Sequence, residues 1–147
     1  MMLRKATAAD ARVLARNNLR LAEESEGEYL APATVLAGVG ALLADRRKGY
    51  YLVAVERNAV VGQLMVTYEW SDWRNSNLWW VQSVYVLRSW RRRGVFRALF
   101  TEVRRRAARN GVKVLRLYVF GKNKRAMAVY RKVGMEKKSY RFYQLEL

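Results

Sequence analysis

The chain has 147 residues, 52% hydrophobic and 28% charged, which is enough apolar material for one globular domain with a real core and too much for a disordered chain. It contains no cysteine and no histidine, which excludes disulfides, thiolate nucleophiles, thiolate metal sites and an imidazole base. Acid–base chemistry therefore falls to carboxylates, tyrosine, lysine or water. The formal charge of +17 implies an anionic partner: nucleic acid, a membrane surface or a phosphorylated cofactor.

The start, Met1-Met2-Leu3-Arg4-Lys5, lacks the apolar core of a signal peptide, and no run approaches the length of a membrane span, so the cytoplasm is the expected compartment. Residues 3–6 read as a first strand. Thr7, Ala8, Ala9 and Asp10 form a capping-box-like start to an apolar-periodic helix reaching about Glu24. Glu23, Glu24, Glu26 and Glu28 then hold four of only twelve acidic residues, either as a solvated loop or as a site that attracts a cationic group. Pro32 opens a second helix over about 33–45. Residues 49–56 and 60–68 read as two strands joined by a turn at Arg57-Asn58-Ala59, a hairpin. Residues 69–77 form a polar connection carrying Trp70, Asp72, Trp73 and Arg74, and residues 78–86 are the third strand of this meander.

A basic turn follows, Arg91-Arg92-Arg93-Gly94, and then Phe96, Leu99, Phe100, Val103 and Ala107 recur at helical spacing up to a stop at Asn110-Gly111. A helix that begins where such a turn ends presents unpaired N–H groups, the positive end of its dipole and the arginines together. That is an anion site, most naturally for phosphate, although RRRG alone also suits a basic surface turn with no ligand. Residues 112–120 read as another strand. Asn123 is a natural N-cap for a helix with an apolar face of Ala126, Val129, Tyr130 and Val133, closed by Gly134. Residues 137–140 and 142–147 read as two closing strands. The order β-α-α-β-β-β-α-β-α-β-β predicts an α/β domain over 1–147, a mixed β-sheet flanked by helices. The crossover around Arg91 makes its neighbouring strands parallel, and phosphates bind such sheets at the carboxyl ends of strands.

The segment from about Val81 to Gly134 resembles the GNAT superfamily of acetyl-CoA-dependent N-acetyltransferases. That family's cofactor motif is Q/R-x-x-G-x-G/A, matched here at Arg91 and Gly94, with Phe96 where a small residue is usual and therefore less room at the helix start. The stretch from Asn123 through Ala126, Tyr130 and Gly134 to Met135 is similar to N-x-x-A-x-x-x-Y-x-x-x-G-F, with Met135 in place of phenylalanine. The resemblance implies that backbone N–H groups of Arg92, Arg93, Gly94, Val95, Phe96 and Arg97 cradle the pyrophosphate of acetyl-CoA, assisted by Arg91 and Arg92. It implies that Tyr85 and Val86 pair with the pantetheine arm as an added strand. Asn123 is then expected to contact the arm, and Tyr130 to protonate the departing thiolate.

The expected reaction is direct attack of a neutral amine on the thioester carbonyl. Positioning supplies on the order of 7–11 kcal/mol in favourable cases. A backbone N–H at the oxyanion is typically worth roughly 2.7–4 kcal/mol. Many members of the family carry a carboxylate on the strand segment occupied here by Gln82 and Ser83, neither of which is an ordinary base. Glu24 and Glu69 are the preferred proton acceptors, acting through water, with Glu26 and Asp72 behind them. A cationic acceptor such as a polyamine or lysine side chain suits the acidic rim, and Trp70, Trp73, Trp79 and Trp80 could line a pocket, build core or form a dimer interface. The alternatives are a basic nucleic-acid-binding protein, which the charge and Arg104-Arg105-Arg106 support, and a non-catalytic CoA-binding sensor on the same fold.

Overall fold

The computed structural model describes residues 1–147. Strand β1 (Met2–Lys5) is followed by α1 (Ala11–Glu26) and α2 (Pro32–Ala44), then by β2 (Gly49–Glu56), β3 (Ala59–Ser71) and β4 (Ser76–Val86). Helix α3 (Val95–Arg109), the short β5 (Leu115–Arg116) and α4 (Lys124–Lys132) complete the elements. The sheet order is β1-β2-β3-β4-β5, antiparallel throughout except for the parallel β4–β5 pair that α3 connects.

Alternation along β2 explains the layering. Leu52 and Ala54 pack beneath α3 with Val95, Leu99, Phe100, Val103 and Ala107. Tyr51, Val53 and Val55 face the other way, against Leu14 and Ala15 of α1 and Val39 and Leu42 of α2. A strand covered on both faces reads as a near-continuous apolar run, as this one does. Each such buried side chain contributes about 1.5–3 kcal/mol to folding. Gly62 lets α3 approach β3 closely, since a Cβ there would lie 2.6 Å from Val95 Cγ1.

Helix α1 ends where Gly27 adopts a left-handed conformation, φ 67°. At its other end Asp10 accepts a bond from the Thr7 N–H at 2.8 Å and forms a two-point ion pair with Arg4 at 2.7 and 3.0 Å. The Arg4 hydrogen bond outweighs burial and holds the Asp10 carboxyl below the usual carboxylate range. Its pKa being lower when folded, the pair stabilises the protein above the unfolded carboxylate's range and fades as pH falls through the folded pKa. Asp10→Asn is therefore expected to cost about 1.5–3 kcal/mol at neutral pH. In urea unfolding the gap from wild type should narrow in acid; a gap independent of pH would exclude the ion pair as its source.

The expected strand at 112–120 pairs with β4 only at Leu115 and Arg116, and the two closing strands at 137–140 and 142–147 do not form. A strand exists only where a neighbour receives its ladder. β4 departs from β5 after Trp80, and nothing in the chain pairs with the outer side of β5.

Candidate active site

The loop from β4 to α3 is built around two residues with positive φ, Arg92 at 63° and Gly94 at 77°. This turns the backbone so that successive N–H groups point one way, an anion-binding concavity. None of the backbone N–H groups of residues 92–97 donates to a backbone acceptor; the first helical bond runs from Ala98 N to Gly94 O at 2.9 Å. Six donors at a helix N-terminus, with arginines beside them, fit a diphosphate. The Phe96 ring turns toward α4 and packs on Phe100 and Tyr130, each at a centroid distance of 5.6 Å.

Beside this loop the sheet opens. β4 and β5 are paired only at Trp79–Leu115 and Trp80–Arg116, so the β4 edge from residue 81 to Val86 faces no strand of this chain. β4 is also kinked: Ser83 has φ 49°, and the β3 register slips there between Gln63 and Met65. Such a bulge re-aims backbone groups and often borders a site. Beneath it, Gln63 is fully buried and joined to α1: Asn17 Nδ2 donates to Gln63 Oε1 at 2.9 Å, and Gln63 Nε2 donates to Asn18 Oδ1 at 2.9 Å and to Ser83 O at 3.5 Å.

Glu24, at the C-terminal end of α1, closes the other side. Its Oε1 accepts from the Tyr85 hydroxyl at 3.0 Å and from Arg88 Nε at 3.2 Å, and its Oε2 accepts from Arg91 at 2.7 Å. Burial pushes this carboxyl up, but the bonds from Arg91 and Tyr85 and the two guanidinium charges prevail and its pKa is lowered. The Tyr85 hydroxyl is pushed up by burial and by Glu24. Arg91 also donates from Nε to Val86 O at 2.9 Å, so it ties Glu24 to the end of the open strand edge. A cleft of about 700 Å³ is lined here by Arg20, Glu23, Glu24, Tyr85, Leu87, Arg88 and Ser89. It adjoins a second hollow, also bounded by Glu24 and Arg88, whose other walls are Arg91, Arg92 and Arg125.

α4 supplies the remaining expected residues. Asn123 caps it, Oδ1 accepting from the Ala126 N–H at 3.1 Å, which leaves Nδ2 for other partners. The Tyr130 ring stands edge-on to Phe96, and burial raises its hydroxyl pKa. Val129, expected on the apolar face, is instead exposed.

Glu69 is not in this cluster. It pairs with Arg116 at 3.3 Å and lies opposite Leu78, roughly 17 Å of strand from the Ser83 kink. Nor do the tryptophans converge: Trp70 and Trp73 are exposed about the β3–β4 turn, Trp79 is core, and Trp80 stacks on Tyr118 at 4.5 Å. Sequence reasoning passed over Arg88, Gln63 and Asn17. A glutamine inside an otherwise apolar strand was the signal available for Gln63.

The chain matches the family model described as Acetyltransferase (GNAT) family over residues 16–135. It is 41% identical to a possible acetyltransferase from Clostridium difficile 630, over 99% of this chain and 97% of that one, with a TM-score of 0.92. An aminoglycoside antibiotic 6'-N-acetyltransferase from Acinetobacter haemolyticus has 19% identity over 100% of this chain and 99% of that one, with a TM-score of 0.78. A ribosomal-protein-alanine N-acetyltransferase from Brucella melitensis has 16% identity over 99% and 98%, with a TM-score of 0.79; these last two share the fold. No functionally curated protein matches the chain. With the family model spanning most of its length and its motif residues gathered around one cleft, this chain belongs to the GNAT family of acetyltransferases and is an acyltransferase.

Proposed function

We propose that this enzyme transfers an acetyl group from acetyl-CoA to a primary amine by direct attack within a ternary complex, and that the acceptor is cationic, such as a polyamine or a lysine side chain. The observation that carries the cofactor assignment is the run of unpaired N–H groups at residues 92–97 beside an unpaired strand edge. The N–H groups and Arg91, Arg92 and Arg125 hold the diphosphate, and Tyr85 and Val86 pair with the pantetheine arm. Asn123 turns its free Nδ2 toward that arm.

Glu23 and Glu24 give the cleft a negative wall that draws an ammonium group in. While Arg88 and Arg91 hold it, Glu24 is a weak base. Once those arginines turn to the diphosphate, the carboxylate regains basicity and takes the amine proton, directly or through water. Glu69 is remote from the cleft and is assigned no part in this step. The amine nitrogen then bonds to the thioester carbonyl carbon, and a backbone N–H at the Ser83 kink receives the oxyanion. The C–S bond breaks as nitrogen loses its second proton, and Tyr130, protonated at neutral pH, delivers a proton to the sulfur.

Thiol release from acetyl-CoA across a panel of amines tests this reading. Release should require both reactants and favour di- and polycationic amines. Tyr130→Phe should lower kcat by up to about a hundredfold with little change in KM. Glu24→Gln should raise KM for cationic amines more than for neutral ones. Amine-independent release, or equal KM changes for both classes of amine, would count against the acceptor assignment.

A further inference from the structure

The last eleven residues, 137–147, are the part of the chain that the catalytic reading leaves unused. They alternate as a strand does, with Tyr140 and Phe142 on one side and Tyr143, Leu145 and Leu147 on the other. Yet no backbone group from residue 136 to 147 bonds to another backbone group. Tyr143 is 95% exposed and Leu145 82% exposed, with Tyr140, Phe142 and Leu147 also open to solvent. Five large apolar side chains in one short exposed segment form an interaction surface, and unpaired β-rich backbone seeks a ladder. The same structure has an open ladder of matching length: β5 is the sheet edge, and only two of the strand-like residues 112–120 are paired at all.

We infer that residues 137–147 of one copy add as a strand to the β5 edge of a second copy, and that the reciprocal exchange makes a two-fold dimer. Pairing within one chain is not adopted: Phe142 touches Tyr118 at a centroid distance of 5.3 Å, but no ladder forms. Extended, the segment is roughly 36 Å long, enough to follow the whole of residues 112–120. Its three aromatic rings bury on the order of 150–250 Å² each when covered, so two exchanged tails reach the size of a standard stable interface. Charge is also complementary, because the tail ends in Glu146 and the terminal carboxylate while β5 is flanked by Lys113 and Lys122. The exchange repeats an identical contact twice, as a closed two-fold assembly requires. Because each copy carries +17, salt should strengthen the dimer, the opposite of its effect on a polyanion complex.

Sedimentation velocity of the full chain at micromolar concentration is expected to give a dimer that becomes monomeric with Tyr143→Asp and Leu145→Asp, circular dichroism and melting temperature of the monomer unit remaining native. The chain has no cysteine, so engineered thiols report the contact directly. Copies carrying Tyr143→Cys mixed with copies carrying Tyr118→Cys should form a disulfide between the two kinds of copy. A wild-type monomer would overturn the proposal, as would a dimer indifferent to the tail substitutions. A disulfide formed within single chains carrying both cysteines would also overturn it, as would a tail that instead binds RNA or vesicles as a monomer.

Discussion

Valine at Gly94 is expected to weaken acetyl-CoA binding about 5- to 150-fold. Gly94 holds φ 77° at the start of α3, a conformation a β-branched residue reaches at a cost of about 1–3 kcal/mol. No atom lies within 4 Å of the position a Cβ would take, so the effect is one of backbone conformation and not of crowding. To escape the strain the loop must rotate, and rotation turns away the N–H groups of residues 92–97. The loss should appear in the dissociation constant measured by calorimetry, with a smaller change in melting temperature. Unchanged affinity would mean that these N–H groups do not hold the diphosphate.

Gln63→Leu is expected to destabilise the protein by about 1–3 kcal/mol and to slow turnover beyond what the stability loss explains. The leucine leaves Asn17 Nδ2 without a partner in a fully buried position, where Asn17 Oδ1 already lacks one. It also removes the bond to Ser83 O that supports the kink in β4. Adding Asn17→Leu should recover stability, because removing both members of a buried pair costs less than removing one. Turnover should not recover with it, since the kink remains unsupported. Full recovery of kcat in the double variant would show that this network is structural alone.

How much of this was legible in the sequence depends on the range of the interaction. The β4–α3 loop could be read from one local pattern, an arginine-rich turn, a glycine and helical periodicity, because N-terminal donors and glycine conformations are local properties. The Asn123 cap and the β2–β3 hairpin were legible for the same reason. Glu24 was identifiable as part of an acidic cluster, but its bonds to Tyr85, Arg88 and Arg91 join residues more than 60 positions apart, which no spacing rule reaches. Glu69 looked equivalent to Glu24 in sequence; the register of β3 against β4 separates them in space. The closing strands illustrate the opposite error. Residues 137–147 have the composition and alternation of strands, but strand formation depends on a partner, and this chain supplies none.

The charge that suggested nucleic acid is also unevenly placed. Residues 88–147 hold 19 of the 29 lysines and arginines and only 3 of the 12 acidic residues. Part of that excess surrounds the proposed diphosphate site at Arg88, Arg91, Arg92 and Arg125, where a small polyanion and a nucleic acid would compete for the same groups. Calorimetric titration of acetyl-CoA into the wild-type protein, beside a short RNA at low and high salt, is therefore the most direct test. The account predicts saturable binding of one acetyl-CoA per chain that persists at a salt concentration that dissociates the RNA. Absence of saturable acetyl-CoA binding, with RNA binding that salt abolishes, would contradict it and assign the loop at residues 91–97 to a nucleic-acid surface.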